Sequence, residues 1–299
     1  MMKRFLSTMC ALVATFLMAV PAGAGTITNG SFTVGIGPDG ELYSSSAGIG
    51  FQRVSDGYDP LLPGTPRDSW GLAVNGGAGV YADYANTGTV GVTSTTLGAT
   101  VTSTTTLGYT VAQTFAFVAP NILGVSVLVT NTTGLAGSVV YQRDIDWDVF
   151  PTEFNETSSG SAITGNVIDS SYFGFESADP STAYAASCAA GCSNTGDDGG
   201  GIKISLGTLA AGGSVGFEYF YGINTIGETP AGLLAEVNGL GAYYSILTQS
   251  SNSPTAGAVN SAIISVASST TTPEPGSWTL ILGGLGAVAA GWKRRKRSR

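Results

Sequence analysis

A 299-residue chain without a single histidine lacks the commonest general base and the commonest metal ligand, so Ser-His-Asp and Cys-His catalysis and histidine-based zinc sites are excluded. Twelve lysine and arginine residues against 20 acidic ones give a formal charge of −8, and most of the positive charge sits at the two ends of the chain. Charged residues make up only 11% of the chain and glycine occurs 44 times, a composition that favours many short strands and tight turns.

The chain opens with the three parts of a secretory signal. Lys3 and Arg4 supply the positive start, Phe5 to Val20 the apolar core, and Pro21-Ala22-Gly23-Ala24 the small residues that signal peptidase reads at Ala22 and Ala24. Cleavage after Ala24 leaves a chain that begins at Gly25, outside the cytoplasm. From 25 to 272 the only basic residues are Arg53, Arg67, Arg143 and Lys203, and every acidic residue except Glu274 falls there, for a net charge of about −15. That balance argues against nucleic acid or anionic lipid as a partner and suits a solvated exported protein able to hold divalent cations. No linker long enough to divide 25–272 is present, so this stretch reads as one β-rich exported domain between a signal peptide (1–24) and a C-terminal signal (273–299).

Strands are predicted at 26–35 and 70–75, with Gly35-Ile36-Gly37-Pro38-Asp39-Gly40 as a β-turn. Pro38, the absent lysine and the lack of a following helix exclude a nucleotide loop there. Four β-rich runs, 89–96, 99–106, 109–118 and 122–130, are separated by Leu97-Gly98, Leu107-Gly108 and Ala119-Pro120-Asn121 and predict an antiparallel meander. In the fourth, Leu123, Val125, Val127 and Val129 define one apolar face. The first two are threonine-rich and should leave one side to solvent.

Tyr141 to Glu156 is the densest polar segment. As part of a strand over 138–149, it would place Asp144, Asp146 and Asp148 on one face and Tyr141, Arg143, Ile145, Trp147 and Val149 on the other. Three readings compete: a solvated acidic strand leading into a proline-terminated loop, a calcium site built from Asp144, Asp146, Asp148 and Glu153, and a carboxylate pair for glycoside hydrolysis. The sequence demands no cofactor, and calcium is the one candidate.

Further strands are predicted at 162–168, 201–206, 214–223 and 258–266. Phe217, Tyr219, Phe220 and Tyr221 put aromatics on both faces, as in a central strand. Cys188 and Cys192, four apart in an exported chain, predict a local disulfide, with a redox-active pair as the alternative. Asn194 to Gly201 is Gly/Asp-rich like many calcium loops but lacks the closing glutamate of an EF-hand and reads as a flexible turn. One helix is predicted, capped by Thr229 with Pro230 in its first turn, Leu233, Val237 and Leu240 on one face, and Gly239 near its end. Residues 251–257 read as a loop or strand break. The fold class that follows is all-β, a large antiparallel two-sheet sandwich or supersandwich with one short helix.

The C-terminus carries Pro273-Glu274-Pro275, an apolar run over 277–292 and the basic cluster Lys293, Arg294, Arg295, Lys296 and Arg297. Sixteen helical residues span about 24 Å, short of the roughly 30 Å hydrocarbon core, a gap that snorkelling lysine and arginine can close. Trp278 and Trp292 sit at the two edges, and the cationic end should stay cytoplasmic, giving a single membrane helix with the domain outside. In this order the three parts resemble the PEP-CTERM sorting signal of Gram-negative bacteria. The resemblance implies transient anchoring in the inner membrane, recognition by an exosortase, cleavage near Pro-Glu-Pro and release to the cell surface or an exopolysaccharide matrix. A second, less specific resemblance joins Arg143, Asp146-Trp147-Asp148, Pro151 to Glu156 and Leu206 to Gly212 to a group of PEP-CTERM proteins with no assigned activity.

Three functions are therefore expected in competition. One is a non-enzymatic surface or matrix protein associated with exopolysaccharide. Another is a carbohydrate-binding module using exposed Trp70, Tyr81, Tyr84 or Trp147, with calcium organising a loop. The third is a glycosidase or lyase acting through Asp146 and Asp148.

Overall fold

Short runs of β-branched and aromatic residues alternate with glycine turns along the chain, and each run becomes a strand in the computed structural model, which describes residues 25–84, 86–251 and 259–270. The first strands are β1 (Gly25–Thr28), β2 (Phe32–Ile36), β3 (Phe51–Arg53), β4 (Asp68–Val74), β5 (Val80–Asp83) and β6 (Gly88–Val90). The meander follows as β7 (Val92–Leu97), β8 (Thr100–Thr105), β9 (Tyr109–Ala119) and β10 (Ile122–Asn131). Then come β11 (Gly137–Asp146), β12 (Glu156–Ala162), β13 (Val167–Ser171), β14 (Ala190–Gly196), β15 (Gly199–Leu209) and β16 (Ser214–Ile223). Helix α1 (Pro230–Gly239), β17 (Ala242–Ser250) and β18 (Ser261–Thr270) complete the described chain.

These strands form three antiparallel sheets, not the two expected. Nine strands lie in the order β14-β12-β17-β18-β16-β10-β9-β8-β7, six in the order β13-β15-β11-β4-β5-β6, and three in the order β1-β2-β3. The predicted meander occupies one end of the large sheet, β7 to β10 side by side. Gly98 (φ 60°) and Gly108 (φ 75°) make its first two turns in a left-handed conformation that a Cβ disfavours. As expected, β16 is central, and β7 and β8 leave one face open to solvent.

Several predicted strands divide where the chain changes sheet or turns. The 26–35 run splits around a turn in which Asn29 Oδ1 accepts from the Ser31 and Phe32 amides. Gly91 separates β6 in the six-stranded sheet from β7 in the nine-stranded one. The 162–168 run straddles a break, with β12 ending at Ala162 and β13 starting at Val167. Helix α1 follows its signals: Thr229 Oγ1 accepts from the Gly232 amide and Pro230 occupies the first turn, while the left-handed stop is Gly241 rather than Gly239.

The main core fills the space between the six- and nine-stranded sheets. Tyr141 on β11 stacks on Trp70 of β4 and meets Phe217 of β16 edge-on, ring centres 5.0 Å apart. Phe32, Val34, Ile36 and Phe51 of the small sheet join that core. Each such fully buried side chain contributes roughly 1.5–3 kcal/mol. A second cluster lies on the opposite face of the large sheet, where Leu233 and Val237 of α1 cover Ile122, Phe220 and Ile263.

Among the described residues no helix is long and apolar enough to cross a membrane. The signal segment with Ala22 and Ala24, the Pro273-Glu274-Pro275 motif, the apolar run and the Lys293–Arg297 cluster all lie outside the described residues.

Candidate metal centre

Alternation along β11 sends Tyr141, Arg143 and Ile145 into the inter-sheet core and Gln142, Asp144 and Asp146 to the other face, as the sequence pattern predicts. That second face is not solvated. Residues 172–187 lie across it, and all three aspartates of the acidic segment are buried, with Asp144 at 0%, Asp146 at 3% and Asp148 at 2% exposure. The solvated-strand reading is thereby overturned. The neighbouring strand makes the room: Asp144, Ile145 and Asp146 pair with Gly201, Gly200 and Gly199 of β15. A Cβ at Gly201 would collide with the Asp144 carboxylate, and one at Gly199 with the Ile145 carbonyl. The Gly/Asp-rich segment is thus the end of β14, a turn, and a β15 strand that must be glycine to sit beside the acids.

The three aspartates do not act together. Asp144 is satisfied by protein groups, accepting from Tyr184 Oη at 2.6 Å and from the Gln142 side-chain amide. Burial pushes its carboxyl up to about 6, against the pull of Arg67, Tyr184 and Gln142. Asp146 closes β11 and Asp148 lies two residues beyond the strand, so Asp148 is not on the shared strand face the sequence suggested. Asp148 is held by its amide, which donates to the Pro60 carbonyl at 2.8 Å. The third member of the cluster is Asp197, on the turn between β14 and β15. Carboxylate oxygens of Asp146, Asp148 and Asp197 all lie within 4.8 Å of one another. Glu156, the first residue of β12 and fully buried, stands beside them; its Oε1 accepts from the Val149 amide at 3.1 Å.

Electrostatically this cluster is unfinished. Asp146 Oδ1, Asp148 Oδ1 and Glu156 Oε2 are buried and have no hydrogen-bond partner among the described residues. Burial and the neighbouring Asp148 and Asp197 push Asp146 up to about 9. Burial together with Glu156 and Asp197 pushes Asp148 up to about 8, and burial raises Glu156 to about 7. An ionised carboxylate removed from water without a partner costs several kcal/mol, so these groups call for protons or a cation. Two oxygens bound to one calcium at about 2.4 Å can be at most about 4.8 Å apart, and the observed separations meet that limit.

Other sequence candidates fall elsewhere. Glu153 is outside the cluster and lines a groove of about 570 Å³ with Arg53, Tyr58, Phe150 and Asn260. Trp70 and Trp147 are fully buried, so neither can stack on a sugar, while Tyr81 and Tyr84 are half-buried. Trp147 packs edge-on against Tyr221 at 6.0 Å. Cys188 and Cys192 form the expected disulfide, Cα atoms 5.0 Å apart, around a turn in which Gly191 takes φ 88°. Asp197 lies in the Gly/Asp-rich segment 194–201 that resembles a calcium loop; reading it as a flexible turn missed its partnership with Asp146, about 50 residues away along the chain.

Residues 271–296 match the model of the PEP-CTERM protein-sorting motif. The chain carries an exosortase sorting signal. A PEP-CTERM motif at the C-terminus supports an exported exosortase substrate that passes through the membrane on its way to the cell surface. No curated protein is significantly similar to the chain.

Proposed function

We propose that this PEP-CTERM protein is a non-catalytic component of the cell-surface or exopolysaccharide layer, delivered by signal peptidase and exosortase and carrying its β-domain outward. The observation that carries this reading is the sorting motif over 271–296. The acidic cluster supports a structural role. Asp146 and Asp148 are almost wholly buried, so neither lines an open cleft of the kind glycoside hydrolysis needs. Fractionation of cells with and without the exosortase, with mass spectrometry of the C-terminus, tests the reading. Loss of surface protein and retention of the basic tail in the mutant are expected. An unchanged surface fraction with an intact C-terminus would overturn it.

A carbohydrate-binding role is the second reading, moved from the buried tryptophans to the groove beside β3. There Phe150, 55% exposed, faces Arg53, Tyr58, Glu153 and Asn260, the mix of one apolar face and several polar groups that sugars require. Loss of polysaccharide retention on Phe150→Ala, with an unchanged melting temperature, would favour it.

A further inference from the structure

We infer that Asp146, Asp148 and Asp197, backed by Glu156, form a calcium site that latches the two large sheets together at one end of the sandwich. The four residues come from different parts of the fold. Asp146 ends β11 in the six-stranded sheet, Glu156 begins β12 in the nine-stranded sheet, and Asp197 sits on the turn by which the chain leaves β14 in the large sheet for β15 in the smaller one. A cation there ties together both sheets and the crossover between them.

Two independent observations point to a ligand. The oxygen separations fit a single shared cation, and three buried carboxylate oxygens, Asp146 Oδ1, Asp148 Oδ1 and Glu156 Oε2, lack a donor among the described residues. Elsewhere in the molecule buried acids have donors: Asp59 accepts from the Gly50, Phe51 and Leu61 amides, and Glu176 from Ser171, Ala185 and Ala186. Oxygen-only ligation with no histidine or free thiol selects a hard cation. A site with one exposed ligand and flexible geometry suits calcium better than magnesium, which demands near-ideal octahedra. Exported calcium modules work at about 10⁻⁴–10⁻³ M, which sets the expected range. The latch is independent of which polymer the domain meets, so it can fail while the sorting reading stands.

The test is calcium titration of the full chain after chelation, by calorimetry and thermal melting. One calcium per chain and a rise in melting temperature of about 5 °C at saturating calcium are expected, with a smaller response to magnesium. Asp197 is exposed, so Asp197→Asn should fold normally and bind at least about tenfold more weakly. Glu236→Gln, which alters a carboxylate on α1 away from the cluster, should bind as the parent does. Proteolysis at the β14–β15 turn should slow in calcium for the parent and not for Asp197→Asn. No heat and no melting shift in the parent, or parental affinity in Asp197→Asn, would overturn the assignment.

Discussion

The two faces of β11 hold buried charge in opposite ways. On the core face, Arg143 is enclosed by acceptors: its guanidinium forks onto Asp68 and also reaches Gln113 Oε1 at 3.0 Å, the Gly40 carbonyl at 2.9 Å and Tyr221 Oη. Burial alone would lower the Arg143 pKa, but Asp68 outweighs it and keeps the side chain charged. Burial raises the Asp68 carboxyl against the pull of Arg143, which forks onto it. On the other face, Asp146, and Asp148 just beyond the strand, form no ion pair with a described residue; Arg67, which pairs with Asp83, offsets the burial of Asp146 only in part. A charge that the protein neutralises itself is architecture, whereas one left for solvent or solute to neutralise is a place for a ligand.

The contrast can be broken most forcefully at Arg143. Arg143→Met removes the cation and strands Asp68, and should cost about 3–5 kcal/mol, read by denaturant unfolding. A loss below about 1 kcal/mol would mean the two faces are not different in kind. Glu41 sharpens the same face by pH. Burial raises its carboxyl from 4.5 to about 7, so the unfolded chain ionises first. Its stabilising contribution is full below about pH 4.5 and is lost as pH rises through 7, on the order of 3 kcal/mol. Glu41→Gln should remove that share of the slope in a series of melting curves between pH 4 and 8, whereas an unaltered slope would show that Glu41 titrates normally.

On the acidic face, the disulfide closes one end of the segment that covers Asp144 and Asp146. Its loop is small, so replacing Cys188 and Cys192 with alanine should cost about 2 kcal/mol. Hydrogen exchange should then quicken at 172–187 and stay unchanged around Arg143. The smallest effect has the opposite sign. Asp148→Asn relieves repulsion and should raise calcium-free stability by about 1 kcal/mol while removing the response to calcium. A destabilised calcium-free variant would show that Asp148 already has a compensating partner.

Much of this was legible in the sequence, for local reasons. Glycine turns and the alternation of Leu123, Val125, Val127 and Val129 marked the meander, and Thr229 with Pro230 marked the helix. Strands with polar or mixed composition escaped. Ala190 to Gly196 carries no large apolar residue and gives no strand signal, yet it forms the β14 edge of the large sheet by pairing with β12. Ala242 to Ser250 carried a usable signal, since Tyr244, Ile246 and Thr248 alternate inward. The third sheet was not foreseen because its strands are three to five residues long and rest on tertiary contacts. At the site, the segment around Asp146 and Asp148 was visible by charge density. Its burial was not, because the cover arrives from 172–187 and the room comes from glycines on β15. Asp197 stood in a Gly/Asp-rich segment visible in the sequence, but its approach to Asp146 depends on a sheet crossover that no local pattern encodes.

The central claim is that the uncompensated carboxylates are kept for a cation, and a crystal structure grown in calcium, with anomalous diffraction to locate the metal, tests it most directly. The account predicts a single peak about 2.3–2.6 Å from oxygens of Asp146, Asp148 and Asp197. Well-ordered carboxylates at those positions with no peak between them at saturating calcium would contradict it.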